Sequence, residues 1–270
     1  MGSLTAHPAA SLPDMTIRTR LSTAFGLLAF AAWPLFAASP ADALLNVCVV
    51  EHNAPFSSLD RSPKGVDVEV AQAIAGRLGR NIHFQWLTVP ARGGLGRAMS
   101  QSVEAGTCDL FAGLPMADES DDDLAKRGLI ASTPYLSAGY VLVTQTSSRI
   151  RSIDHVRNVK IGAVSATPAD LYLLKGAFNR APYADSKALL AALAQGEIAA
   201  ALVWSASLAV ASQPSGIVVR ATIEESWMQT RFAMASRRAD SALRTAVDDA
   251  IRALTEDGTL LAIAQRNGFP

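Results

Sequence analysis

The sequence predicts an α/β protein of two lobes, and three observations predict it. Apolar strands alternate with amphipathic helices from residue 45 to residue 113. The same alternation restarts at Tyr140 and runs to Arg220, and no low-complexity linker separates the halves. Strand–helix–strand order with helical crossovers gives mostly parallel sheets with right-handed connections. Two such lobes joined by extended strands leave a cleft between them.

Each element follows from its residues. Leu45–Val50 is an apolar run that ends in a polar loop over 51–64, so it reads as a buried strand. Val66, Val70, Ile74 and Leu78 recur at four-residue spacing and form one helical face, with Asp67 and Glu69 in the first turn and Gly79 past the end. Residues 81–87 alternate Ile82, Phe84 and Trp86 with His83 and Gln85, the period of a strand. A helix over 95–104, ended by Gly106, leads to a strand over 108–113. In the second half, strands are expected over 140–144, 159–164, 198–204, 217–220 and 231–236, and helices over 167–178 and 186–195. Ala246, Val247, Ala250, Ile251 and Leu254 line one face of a further helix; Asp257-Gly258 breaks it and a last helix spans 259–266.

The first residues read as a leader. Arg18 and Arg20 precede an apolar run over 21–38, and small residues follow to Ala41-Asp42-Ala43. A basic start, an apolar middle and a small-x-small exit are the marks of a secretory signal peptide over 1–43, with Met15 as an alternative start. The competing reading is a retained membrane anchor; Pro34 and the small-residue exit favour cleavage, after Ala43 or after Ser39. Export would place the protein in the periplasm. In that oxidising compartment Cys48 and Cys108 form a disulfide or remain two buried thiols, and export favours the disulfide.

Composition removes several functions. The 270 residues carry 24 basic and 24 acidic side chains, a net charge of zero, which argues against nucleic-acid binding. Two cysteines exclude a four-thiolate zinc site. His52, His83 and His155 lack metal-ligand spacing and no Gly-x-Ser-x-Gly elbow is present, so neither a metal centre nor a hydrolase is expected. Asp118, Glu119, Asp121, Asp122 and Asp123 crowd together without the glycine and glutamate of a calcium loop. They read as a solvated loop, against a docking patch or a weak Ca²⁺ or lanthanide site.

The order of the motifs resembles a known family. The strand Leu45-x-Val47, then Ala54-Pro55-Phe56, then Gly65-Val66-Asp67-Val68-Glu69 resembles the start of bacterial solute-binding proteins of family 3, the periplasmic receptors of amino-acid-type ABC transporters. Glu104-Ala105-Gly106-x-Cys108-Asp109-Leu110, Ser132-Thr133-Pro134-Tyr135-Leu136 and Glu256-Asp257-Gly258-Thr259-Leu260 resemble its later elements. The resemblance implies a type II periplasmic-binding-protein fold, with lobe one over 44–138 plus 230–270 and lobe two over 139–229. It implies a small-molecule ligand, an ABC permease as partner, no cofactor and a monomer.

The chain departs from the amino-acid binders at the ligand. The arginine that usually follows the third strand is missing from Leu114-Pro115-Met116-Ala117-Asp118-Glu119-Ser120. The aspartate usual after the lobe-two strand is replaced by Trp204. Both charged anchors of a zwitterion are thus absent. Val47-Cys48, Trp86 followed by Pro90-x-Arg92-Gly93, Cys108-Asp109, Val203-Trp204 and the ending Asn267-Gly268-Phe269-Pro270 resemble a subgroup found beside methanol and other quinoprotein dehydrogenases. That resemblance implies a quinoprotein dehydrogenase system as a second kind of partner and pyrroloquinoline quinone as a bound ligand.

Candidate ligand residues lie at carboxyl ends of strands and amino ends of helices. Asn53 and Phe56 follow the first strand, Trp86 ends the second, and Pro115 follows the third. Thr133 and Tyr135 flank the hinge, as does Tyr140. Ser165 and Thr167 precede a helix whose free N–H groups attract anions. Trp204 ends a lobe-two strand. Phe56, Trp86 and Trp204 would stack on a flat ligand, with core packing the alternative for Trp86. Arg92 would hold a carboxylate bidentately, or serve as a surface arginine. The expected function is therefore a periplasmic solute-binding protein, not an enzyme, closing on an aromatic or carboxylate ligand other than a standard amino acid. The alternatives are an accessory or maturation partner of a quinoprotein dehydrogenase that binds no transported solute, and a dehydratase derived from the same fold.

Overall fold

A computed structural model describes residues 44–116, 121–211 and 216–270. The expected signal peptide over 1–43 and the acids Asp118 and Glu119 lie outside the described residues.

In chain order the first half comprises β1 (Leu45–Val50), the short strands β2 (His52–Asn53) and β3 (Ser57–Ser58), and α1 (Val66–Arg77). It continues through β4 (Ile82–Leu87), α2 (Gly94–Ser100), β5 (Leu110–Met116), α3 (Asp121–Lys126) and β6 (Leu129–Ala131). Then come β7 (Leu136–Gln145), β8 (Ile161–Val164), α4 (Pro168–Lys175), β9 (Arg180–Tyr183), α5 (Ser186–Ala194), β10 (Ala200–Trp204), α6 (Ser205–Val210) and β11 (Ile217–Thr222). The chain ends with β12 (Gln229–Arg237), α7 (Ser241–Glu256) and α8 (Thr259–Arg266).

The strands run in the order β4-β1-β5-β12-β7-β10-β8-β9, with β6 on β12 and β11 on β7. β1 lies parallel to β4 and β5, and β8 lies parallel to β9 and β10. Between these parallel groups run β7 and β12, antiparallel to each other from Leu136↔Phe232 to Gly139↔Gln229. They are the two extended crossings between the lobes.

Alternation along each strand builds two cores per lobe. Leu45, Val47 and Val49 of β1 enter one core with Ile74 of α1, Val247 and Ile251 of α7, and Ile263 of α8. Cys48, between them in sequence, enters the opposite core with Met99, Phe111 and Leu129. In lobe two, Tyr140 and Leu142 of β7 face one core with Leu173 of α4, while Val141 and Val143 face another with Leu189 and Leu193 of α5. Strands buried on both faces need this continuous apolar character. Cys48 and Cys108 are joined by a disulfide within lobe one.

Three local differences from the sequence reading have physical causes. β5 starts and ends later than expected, because its ladder with β12 carries it through Pro115, opposite Phe232. A register shift interrupts that ladder, and Gly113 there has φ +81. The bulge lets Leu114 join Phe111 in one core although Ala112 faces the other. β9 contains Pro182, which demotes a strand in sequence but is tolerated on the edge that β9 occupies. The acids from Asp121 open α3 rather than a loop, and Asp123 pairs with Arg127 at 2.9 Å. Among the described residues no cluster of three or more His, Cys, Asp or Glu side chains is arranged to hold a metal ion.

α6 ties lobe two to lobe one. It continues directly from β10, yet its Ala206 is buried in the lobe-one core, with Ala209 packed against that core. Gly268 makes the approach possible: its φ is +84, and a Cβ there would stand 2.9 Å from the Ala209 carbonyl oxygen.

Candidate functional site

Two adjoining cavities lie where the crossing strands meet lobe two. The first, about 400 Å³, is lined by Tyr140 at the start of the lobe-two part of β7, by Val164 and Thr167 before α4, by Leu202 and Trp204 of β10, by Ser207 of α6, and by Trp227 and Met228 before β12. No lining side chain carries a formal charge. The second, about 720 Å³, is wider and lies between Pro115 and Met116 of β5 and the segment Ser226–Arg231. Trp227 and Thr230 line both, so the two cavities are parts of one cleft.

Aromatic rings form the walls. The rings of Tyr140 and Trp204 lie 5.3 Å apart at 57°. Burial pushes the Tyr140 phenol above its ordinary pKa, and a hydrogen bond with Thr167 opposes the shift. The phenol therefore stays neutral at physiological pH. Trp204 packs on the cores of both lobes, so its orientation is fixed by the fold. Trp227 is different: it is 45% exposed, with Lys175 Nζ 5.7 Å from its ring and Tyr172 alongside. Gln229 and Arg231 bring polar and cationic character to the wider cavity only.

The amino end of α4 is already self-capped. Thr167 Oγ1 accepts the Asp170 N–H at 3.4 Å, the Asp170 carboxylate accepts the Ala166 N–H at 3.1 Å, and the Ser165 N–H donates to the Tyr183 carbonyl at 2.8 Å. An anion placed there would meet the Asp170 carboxylate, so the free donors expected from the sequence are largely engaged. Thr167 faces the cavity as a neutral hydroxyl, and Ser165 lies exposed on the loop.

The remaining candidates are dispersed over lobe one. Phe56 is buried in the core, its ring 4.4 Å from Phe232 and 5.8 Å from Phe269; it is a packing residue. Tyr135 is also buried; its hydroxyl accepts the Gly113 N–H at 2.9 Å and donates to Asp67 at 2.6 Å. Burial lifts the Asp67 carboxyl to a pKa of about 6, with the Tyr135 hydrogen bond acting in the opposite direction. Trp86 is half-buried on edge strand β4, under Lys64 at 5.7 Å. Asn53 and Arg92 are exposed, away from the two cavities. Thr133 is exposed and its backbone N–H donates to Asp248 at 2.6 Å.

Of the expected residues, the structure brings together Pro115, Thr167 and Trp204, joined by Tyr140. The sequence reading passed over Trp227, Gln229 and Arg231. A large aromatic within the polar stretch Glu224-Glu225-Ser226, just before a crossing strand, is the signal that marks Trp227. A third cavity, about 150 Å³, lies beside Arg61, Lys64 and Arg266. There Arg266 is paired with Glu69 at 2.6 Å and Lys64 donates to the Leu59 carbonyl, which leaves the cleft as the better candidate site.

Comparison with known proteins places this geometry. The bacterial extracellular solute-binding proteins, family 3, match over residues 45–268. Protein MoxJ of Methylorubrum extorquens is 33% identical over 109 residues, covering 40% of this chain and 31% of that protein. The match thus spans under a third of that curated relative. The unliganded, open L-cystine solute receptor of Neisseria gonorrhoeae superposes with a TM-score of 0.69 at 21% identity, over 83% of this chain and 92% of that one. The second substrate-binding domain of Lactococcus lactis GlnP, also open, gives 0.68 at 18% identity, over 86% and 97%. At such identities these structures establish the fold alone, a two-lobed α/β architecture.

Proposed function

Because this chain belongs to the bacterial extracellular solute-binding proteins, family 3, we propose that it is a periplasmic receptor for a small aromatic or carboxylate ligand, other than a standard amino acid, held between its lobes. The receptor would serve an ABC transporter or a quinoprotein dehydrogenase system. The observation that carries this reading is the uncharged cavity walled by Tyr140, Trp204 and Trp227. A free amino acid carries both charges within a few bonds of each other, so they would enter the ring cavity together, and a cavity without charged side chains offers them no partner. A flat ring matches aromatic walls, and Gln229 in the adjoining cavity offers polar groups to its substituents.

Pyrroloquinoline quinone, a fused aromatic tricarboxylate, is the ligand we put first. Thermal-shift screening against it and the standard amino acids, followed by calorimetry, tests the reading. Ligand at a hundredfold excess over Kd should stabilise the protein by about 2.7 kcal/mol. Micromolar binding of ordinary amino acids, with none for the quinone, would overturn it.

The second reading is an accessory partner of a periplasmic quinoprotein dehydrogenase. The match to Protein MoxJ favours it, together with the subgroup motifs at Trp86, Arg92 and Val203-Trp204. Co-purification with a quinoprotein dehydrogenase, with no solute bound, would support this role over the first.

A further inference from the structure

We propose that the cavity between the loop over 58–64 and the end of α8 is an anion site that takes a phosphate-type oxyanion. It is separate from the cleft and shares no lining residue with either cleft cavity. Arg61, Lys64 and Arg266 converge on it, and no acidic side chain lines it. Its volume of about 150 Å³ is below the roughly 300 Å³ at which sites for drug-sized ligands begin. It has room for a single oxyanion.

The nearby acids are turned to other partners. Glu69 Oε2 accepts from Arg266 Nε at 3.2 Å and Nη2 at 2.6 Å, and its Oε1 accepts from Asn267 Nδ2 at 2.9 Å. Asp60, next to Arg61 in sequence, lies 3.6 Å from His52. Glu69 thus offsets one of the three cations, which leaves two positive charges around one small space. Like charges repel at short range, and an anion carrying two charges offsets both. The amino end of α1, at Gly65, and the carboxyl end of α8 both border the cavity, so their partial charges oppose each other. Donors remain for the anion. Arg266 Nη1 takes no part in the Glu69 pair. Arg61 has no ion pair among the described residues. Lys64 gives one of its three N–H groups to the Leu59 carbonyl at 2.9 Å. Guanidinium forks match the oxygens of a phosphate. The frame is also set before an anion arrives. The Ser58 N–H donates to the Lys64 carbonyl at 2.7 Å and closes the loop that carries Arg61. Gly65, at φ +116, seats the end of that loop where a Cβ would stand 2.3 Å from the Phe56 carbonyl oxygen. Ala209 of α6 and Gly268 form another part of the wall, so a bound anion would brace the contact of α6 with lobe one.

Calorimetry of inorganic phosphate into the full-length protein, at about pH 8 where phosphate carries close to two charges, tests the proposal against chloride at matched ionic strength. Phosphate should bind with submillimolar affinity and slow amide exchange over 58–65 and 265–268. Arg61→Gln, at an exposed position that the fold does not need, should weaken it about tenfold. Arg252→Gln, at an exposed arginine of α7, should leave it unchanged. Phosphatidylglycerol vesicles separate two sources of the same chemistry. Flotation with vesicles that phosphate competes away and Arg61→Gln abolishes marks a lipid headgroup as the source, and phosphate binding without flotation marks the free anion. Heat equal to that of chloride with no flotation, or phosphate binding of the same strength in Arg61→Gln, would overturn the proposal.

Discussion

Lobe one and lobe two use their aromatic residues in opposite ways. In lobe one Phe56 packs on Phe232 and Phe269, and Tyr135 is locked between Gly113 and Asp67. The same lobe carries the Cys48–Cys108 disulfide. In lobe two Tyr140, Trp204 and Trp227 wall a cavity. The difference teaches that ring position at a strand end does not by itself mark a ligand contact. What matters is whether other apolar groups fill the space in front of the ring. Lobe one is filled and cross-linked, a rigid platform, while lobe two keeps room for a guest.

Substitutions should separate these roles, and the largest effects belong to lobe one. Phe56→Ala should destabilise the fold by about 4 kcal/mol in urea unfolding, by loss of buried area plus a cavity. If it instead altered ligand affinity at unchanged stability, the contrast between the lobes would break. Cys48→Ser with Cys108→Ser opens a link between residues 60 apart in sequence, and chain entropy puts the cost at about 4 kcal/mol. Unfolding under reducing and oxidising conditions reads the same difference in the native protein.

Asp67 sets a smaller, pH-dependent term. Its folded pKa of about 6 lies above the ordinary carboxylate value of 3.8, so the folded state holds the proton more tightly than the unfolded chain. Its contribution to stability is complete below pH about 4 and is lost as pH rises through about 6, in total about 3 kcal/mol. Asp67→Asn should therefore gain on the native protein by that amount between pH 4 and pH 7. A stability difference that stays flat with pH would show that Asp67 is ionised in the fold. The smallest effect on stability belongs to Trp227→Ala, about 2 kcal/mol, because the ring is only partly buried. The same change should weaken an aromatic ligand about tenfold by calorimetry.

Much of the scaffold was legible in the sequence. Val66, Val70 and Ile74 recur with the helical period, and all three are buried along α1. Asp257-Gly258 separates α7 from α8, where Gly258 takes φ +79. The place of Trp204 on the cavity wall was legible because it closes an apolar strand with no charged residue nearby. Phe56 and Tyr135 were misleading because their partners, Phe232, Phe269 and Asp67, are far away in sequence. Local pattern cannot show that those rings meet. Trp227 was hidden for another reason: it sits on a short turn with no period to reveal it. β7 runs longer at its start than its apolar run suggests, because pairing with β12 rather than burial defines its first residues.

The proposed receptor holds an aromatic ligand on lobe two, between Tyr140, Trp204 and Trp227. A crystal structure of the protein grown with pyrroloquinoline quinone tests it most directly. The fused rings should lie against those three side chains, with acidic groups in the wider cavity beside Gln229 and with Pro115 and Met116 closing over them. Density for the ligand on lobe one, at Arg92 or beside Arg61 and Lys64, with the lobe-two cavity left open, would contradict it.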